Sequence, residues 1–129
     1  MTKKIYHRRA VERDFNFCQA VKAGDFLFVS GCISWDEEGS ATDVGDWAAQ
    51  VDNIYTEIGE ILSEHDLSAS DVVKETVYCL DMDAFAEASG RRASFYDPQS
   101  PPSATWIEVT RLVNPDFLAE VEVMAYAPG

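Results

Sequence analysis

Residues 15–33 read Phe15-Asn16-Phe17-Cys18-Gln19-Ala20-Val21-Lys22-Ala23-Gly24-Asp25-Phe26-Leu27-Phe28-Val29-Ser30-Gly31-Cys32-Ile33. Apolar and small residues dominate on both sides of Lys22-Ala23-Gly24-Asp25, and this pattern predicts two strands joined by a tight turn. Working outward, Asp36-Glu37-Glu38-Gly39-Ser40 is polar and turn-forming, a surface loop. From Trp47 to Leu62, apolar side chains at Ala48, Val51, Ile54, Tyr55, Ile58, Ile61 and Leu62 recur every three or four residues, the spacing of an amphipathic helix. Asp46 is placed to cap it.

The second half continues in alternation. Val72 to Leu80 is nearly all apolar or β-favouring and reads as a central strand covered on both faces. Asp83 starts a second helix that runs to about Tyr96, with Phe85, Ala88 and Phe95 inward, and Pro98, Pro101 and Pro102 end it. Two strands follow, Ser103 to Leu112 and Phe117 to Ala127, separated by Val113-Asn114-Pro115-Asp116. The order is β-β-α-β-α-β-β, an α+β fold of one domain over residues 1–129, with a mixed sheet and two helices on one face. The opposite face then needs a cover, and partner subunits supply it economically.

Charge narrows the function classes. The 129 residues carry 10 Lys and Arg against 23 Asp and Glu, a net charge of −13. Nucleic-acid sites neutralise phosphates with clustered cations, so no nucleic-acid partner is expected. The cations are concentrated in Lys3, Lys4, Arg8, Arg9 and Arg13, but no apolar run follows them, and Phe26 to Trp35 is too short to span a bilayer. A cytosolic protein without membrane partners is expected. Cys18, Cys32 and Cys79 lack paired spacing and sit in apolar surroundings, as reduced buried thiols do, and His7 and His65 share no metal-ligand spacing.

Specific residues then carry a resemblance. Gly24-Asp25-Phe26-Leu27-Phe28-Val29-Ser30-Gly31, Gln50, Asp71-Val72-Val73-Lys74-Glu75-Thr76-Val77-Tyr78, Asp81-Met82 with Phe85-Ala86, and Glu120-Val121-Glu122 before Ala125 occur in order along nearly the whole chain. Together they resemble the reactive-intermediate deaminase (Rid, also called YjgF) family. The resemblance implies a chorismate-mutase-like protomer, a homotrimer, and a small-molecule cleft at each subunit interface. It also implies hydrolysis of enamines and imines such as 2-aminoacrylate without a cofactor. An endoribonuclease association exists for some relatives, and the acidity of this chain disfavours it.

Active members hold the substrate carboxylate with an arginine in a Pro-Ala-Arg-Ser/Thr type motif. The matching stretch here is Pro102-Ser103-Ala104-Thr105, so Ala104 stands where that arginine would be. A guanidinium gives a carboxylate two aligned, charge-assisted hydrogen bonds, and a methyl group gives none. Trp106 matches a cysteine of active members, Phe17 a tyrosine and Ser89 an asparagine. Alternation puts Ala104, Trp106 and Glu108 on one strand face, which the resemblance makes a cleft wall.

Ser30 and Gly31 match ligand-contacting strand-end positions, and Glu120 matches the carboxylate that positions the attacking water. The resulting mechanism has Glu120 activating water while Ser30 and Gly31 fix the substrate against Phe17 and Trp106. Arg91 and Arg92 are adjacent cations, and Arg92 is a candidate replacement for the missing anchor. Each assignment has a plainer counterpart: Glu120 and Glu122 as a solvated strand face, Ser30-Gly31 as turn chemistry, Trp106 as packing, and the arginines as a surface pair. Two functions stay open: an atypical imine or enamine hydrolase, and a non-catalytic small-molecule-binding or stress-associated trimer.

Overall fold

A computed structural model describes residues 2–129. Its strands are β1 (Lys4–Tyr6), β2 (Ala20–Ala23), β3 (Phe26–Cys32), β4 (Val72–Cys79), β5 (Ser103–Glu108) and β6 (Ala119–Tyr126). Its helices are α1 (Val11–Asp14), α2 (Trp47–Glu64), α3 (Met82–Ala88) and α4 (Gly90–Phe95), with a 3₁₀ turn at Ala69–Asp71. The strands form one sheet in the order β1-β2-β3-β6-β4-β5, antiparallel except for the parallel β4–β5 pair. The expected α+β architecture with a mixed sheet is present.

The hairpin forms where the sequence places it. Ala23 pairs with Phe26 across the two-residue turn Gly24-Asp25, and Gly24 takes the left-handed φ of 60° that such a turn requires. Leu27 and Val29 of β3, Val77 and Cys79 of β4, and Val121, Val123 and Ala125 of β6 point to one face. There they bury against Val51, Ile54, Tyr55, Ile58, Ile61 and Leu62 of α2. Each such aliphatic side chain contributes roughly 1.5–3 kcal/mol on leaving water. Asp46 caps α2 by accepting from the Ala49 backbone N at 3.0 Å.

Four expectations are corrected. The element order omits β1, only three residues of mixed polarity at a sheet edge, and the single turn α1. The first hairpin strand starts at Ala20 rather than Phe15, because Asn16 turns the chain with a φ of 59°. The second helix breaks at Ser89, whose hydroxyl donates to the Ala86 carbonyl at 2.7 Å and ends α3. Its cap is Asp81 rather than Asp83, accepting from the Ala84 backbone N at 3.0 Å.

One acid lies inside the helix layer. Glu75 of β4 is 0% exposed, and its carboxylate accepts from Tyr55 and Tyr96 hydroxyls at 2.8 Å each and from Arg92 Nε at 2.7 Å. The Arg92 guanidinium also lies 5.1 Å over the Tyr96 ring and 5.3 Å over the Trp106 ring. Burial, with the nearby Glu75 charge, pushes both tyrosine hydroxyls well above the usual tyrosine range, so they act as donors.

The opposite face of the sheet carries Glu120, Glu122 and Met124, with Phe26, Phe28, Tyr126 and Ile5 exposed. That much exposed aromatic surface on one side of a sheet marks a contact surface.

Candidate functional site

The site grows from an irregularity in β3. Val29 pairs with Val123 and Cys32 with Val121, so Ser30 and Gly31 together stand opposite the single residue Glu122. This two-against-one arrangement is a β-bulge, a device that re-aims the chain at sheet ends. Ser30 is fixed there twice: its backbone N donates to Gln19 O at 2.8 Å and its hydroxyl to Cys18 O at 2.6 Å. Those bonds hold the segment carrying Phe17 beside the bulge.

Glu120 lies across Gly31. A Cβ built at position 31 would fall 2.6 Å from Glu120 Cδ and 2.7 Å from its Cγ, so only glycine leaves room for this placement. Burial holds the Glu120 carboxyl above its ordinary range, and the neighbouring Glu122 charge adds to the shift. Glu122 itself accepts from the Tyr78 hydroxyl at 2.9 Å.

In front of Glu120 opens a cavity of about 470 Å³, within the usual range for small-molecule pockets. Phe17, Ser30, Gly31 and Glu120 line it. Sequence reasoning missed Val11, Phe15, Ile33, Trp35, Val113 and Phe117, the apolar remainder of the wall. The exposed Phe15, Phe17 and Val113 crowd the rim. Their signal was present as aromatic residues beside turn-forming neighbours, but no periodicity connects such positions.

Two polar clamps build that wall. The buried Glu12 carboxylate accepts from the backbone N of Arg8 and Arg9 at 2.9 and 3.0 Å. Arg9 pairs with Glu57 of α2, donates to Asp36 O at 2.8 Å and covers the Trp35 ring at 4.6 Å. On the other side, buried Gln50 donates to Asp116 O at 2.9 Å and accepts from the Leu118 backbone N at 3.0 Å, which sets Phe117 edge-on to Trp35. Arg8 reaches Glu60 and Glu64 of α2. Two of the five N-terminal cations, Arg8 and Arg9, are thus occupied by acidic side chains of the same molecule.

The remaining sequence candidates lie elsewhere in the protomer. Ala104 and Trp106 pair with Glu75 and Val77 and share their face, the helix side, whereas Glu120 pairs with Tyr78 on the other side. Within one chain Ala104 and Trp106 therefore lie on the opposite side of the sheet from Glu120. Trp106 instead packs edge-on against Phe85 at 4.9 Å. Ser89 sits at the α3–α4 junction, and Arg92 is engaged by Glu75, so neither lines the cavity. Cys32 is buried and its thiol is pushed up by burial, an inert group. Among the described residues, no three His, Cys, Asp or Glu gather as a metal site, and no helix is long and apolar enough to cross a membrane.

Comparison with known proteins shows the family and the fold. The Endoribonuclease L-PSP family pattern matches residues 8–127. A RutC family protein of Pyrococcus horikoshii is 35% identical over 126 residues, covering 98% of each chain. The 3-aminoacrylate deaminase RutC of Acinetobacter baylyi is 30% identical over 110 residues, covering 85% of this chain and 86% of its own. The crystal structure of a YjgF family member from Mycobacterium tuberculosis superposes with a TM-score of 0.81 at 24% identity, over 98% of this chain and 100% of that one. By its sequence match and its fold, the chain belongs to the Endoribonuclease L-PSP family, the group that includes the RutC and YjgF proteins.

Proposed function

We propose that the protein is a cofactor-independent hydrolase of imines or enamines, cytosolic and trimeric, with each Glu120 cavity completed by a neighbouring subunit. The observation that carries this reading is Glu120 itself, a carboxylate held over a bulge glycine in a mostly apolar cavity. Such a group takes a proton from water and returns it to a leaving nitrogen. The deaminase activity named for the Acinetobacter relative supports the same reaction class. Exposed Phe26, Phe28 and Tyr126 support assembly through the helix-free face, and the apolar rim of Phe15 and Val113 supports closure of the cavity by a second copy. β5 is an edge strand, so in the trimer a neighbour's β5 is the route by which Ala104 and Trp106 come to a cavity. The absence of arginine at position 104 makes 2-aminoacrylate a poor substrate.

The test is ammonia release from a panel of freshly generated imines and enamines. Acceleration of at least one over the buffer rate is expected, and none would favour the binding-protein reading. Because Glu120 must be ionised to act as a base, kcat/KM falls as pH drops through its raised pKa. The acid limb therefore centres above the ordinary carboxylate value of about 4.5.

Gly31→Ala forces Glu120 out of place. The displaced atoms belong to a flexible side chain, so thermal melting shifts little, while turnover falls on the order of 10²-fold for a misplacement of this size. Unchanged turnover would show that the carboxylate need not lie over the bulge.

A further inference from the structure

We propose that the Glu120 cavity selects an apolar imine in its protonated, iminium form, carrying no carboxylate, with Glu120 as its counter-ion. This rests on the hydrolase reading above and names its substrate class. Among the described residues of this chain, Glu120 is the one ionisable side chain in the cavity wall. The Ser30 hydroxyl spends its proton on Cys18 O, so towards a ligand it offers lone pairs. Glu120 and Ser30 are thus both acceptors, suited to the two N–H groups of a C=NH₂⁺ unit. Asn114 uses its Oδ1 on the Asp116 backbone N, which leaves a neutral amide donor for a product carbonyl and no cation for a carboxylate.

Three arginines of this chain are engaged by its own groups. Arg9 lies over Trp35 and pairs with Glu57, Arg92 pairs with the buried Glu75, and Arg111 folds back onto Leu112 O and Val113 O. Phe15, Phe17, Trp35 and Phe117 supply apolar contact, and the Phe15 and Phe17 rings at the rim are groups of the kind that attract cations. The net charge of −13 favours the approach of a cation and opposes that of an anion.

The chemistry balances without a co-reactant other than water. The water oxygen bonds to the iminium carbon as Glu120 accepts its proton, and the C=N π electrons move to nitrogen to give a neutral carbinolamine. Glu120 returns the proton to nitrogen and then accepts the hydroxyl proton as the C–N bond breaks. A carbonyl product and ammonia result, and the ammonia takes the last proton from Glu120 to leave as ammonium.

The test compares benzylammonium, benzyl alcohol and benzoate by titration calorimetry at about pH 7. Benzylammonium is expected to bind at least about tenfold tighter than benzoate. In Glu120→Gln, benzylammonium weakens by about tenfold or more while benzyl alcohol stays within about twofold. Benzoate binding as tightly as benzylammonium, no benzylammonium binding at millimolar concentration, or indifference of benzylammonium to the substitution would each overturn the proposal. Glu120-dependent benzylammonium binding without turnover of any imine would overturn only the hydrolase reading. Faster hydrolysis of 2-iminopropanoate than of a carboxylate-free imine would overturn only the charge preference.

Discussion

Glu120→Gln is expected to lower kcat/KM for imine hydrolysis by about 10²–10⁴-fold, the usual weight of a positioned acid–base group. At neutral pH it should leave the protein at least as stable as before. The two halves share one cause, the apolar cavity that holds the Glu120 carboxyl above its unfolded value. A carboxyl with a raised folded pKa favours the folded state when protonated, and that contribution is lost as pH rises through the folded pKa. The ionised form therefore opposes folding at neutral pH, and a neutral amide of the same shape does not. Steady-state ammonia release and denaturant midpoints across the acid range measure both effects. Equal activity in the two proteins would place the base elsewhere, and a large stability loss in the amide variant would contradict the sign of the shift.

Glu75→Ala is expected to give the largest loss of stability, about 3–5 kcal/mol, as removal of one partner from a buried ion pair does. The substitution removes an acceptor shared by Tyr55, Tyr96 and Arg92 inside the helix layer. Two hydroxyls lose their partner away from water, and Arg92 keeps a charge over two aromatic rings with no counter-ion. Glu75→Gln retains the shape and part of the bonding and should lose less. Equilibrium urea unfolding of the three proteins ranks them, and a loss under about 1 kcal/mol for alanine would mean that water replaces the carboxylate. Because Trp106 lies under Arg92, its fluorescence should also change.

The two structural layers differ in how openly the sequence displays them. Strands and the long helix announce themselves because burial repeats with a fixed period: Val51, Ile54, Ile58 and Ile61 fall on one face of α2, as counted from the sequence. Asp46 could be placed because a cap acts within three residues. The cavity is different, since Val11, Phe15, Trp35 and Phe117 come from a single helical turn and three loops, and no local period joins them. Glu120, Ser30 and Gly31 were legible only through resemblance, and the bulge that unites them leaves no mark in composition. Ala104 and Trp106 were assigned a common face correctly by alternation. Which side of the sheet that face occupies depends on the β4–β5 register, which alternation within one strand does not contain. Likewise, nothing in Arg92 or Glu75 alone indicates that they neutralise each other from different elements.

The position of β6 bears on how the molecule comes into being. The last strand of the chain fills the slot between β3 and β4 near the centre of the sheet. During synthesis the hairpin, α2 and β4 emerge well before it, and until residues 119–126 follow, the inner edges of β3 and β4 have no partner. Pairing across so long a separation is slow, and open edges of this kind are where nascent chains associate wrongly. The same strand delivers Glu120 to the bulge, so sheet closure and assembly of the cavity are one event. A chain interrupted before β6 carries neither a closed sheet nor the Glu120 carboxylate.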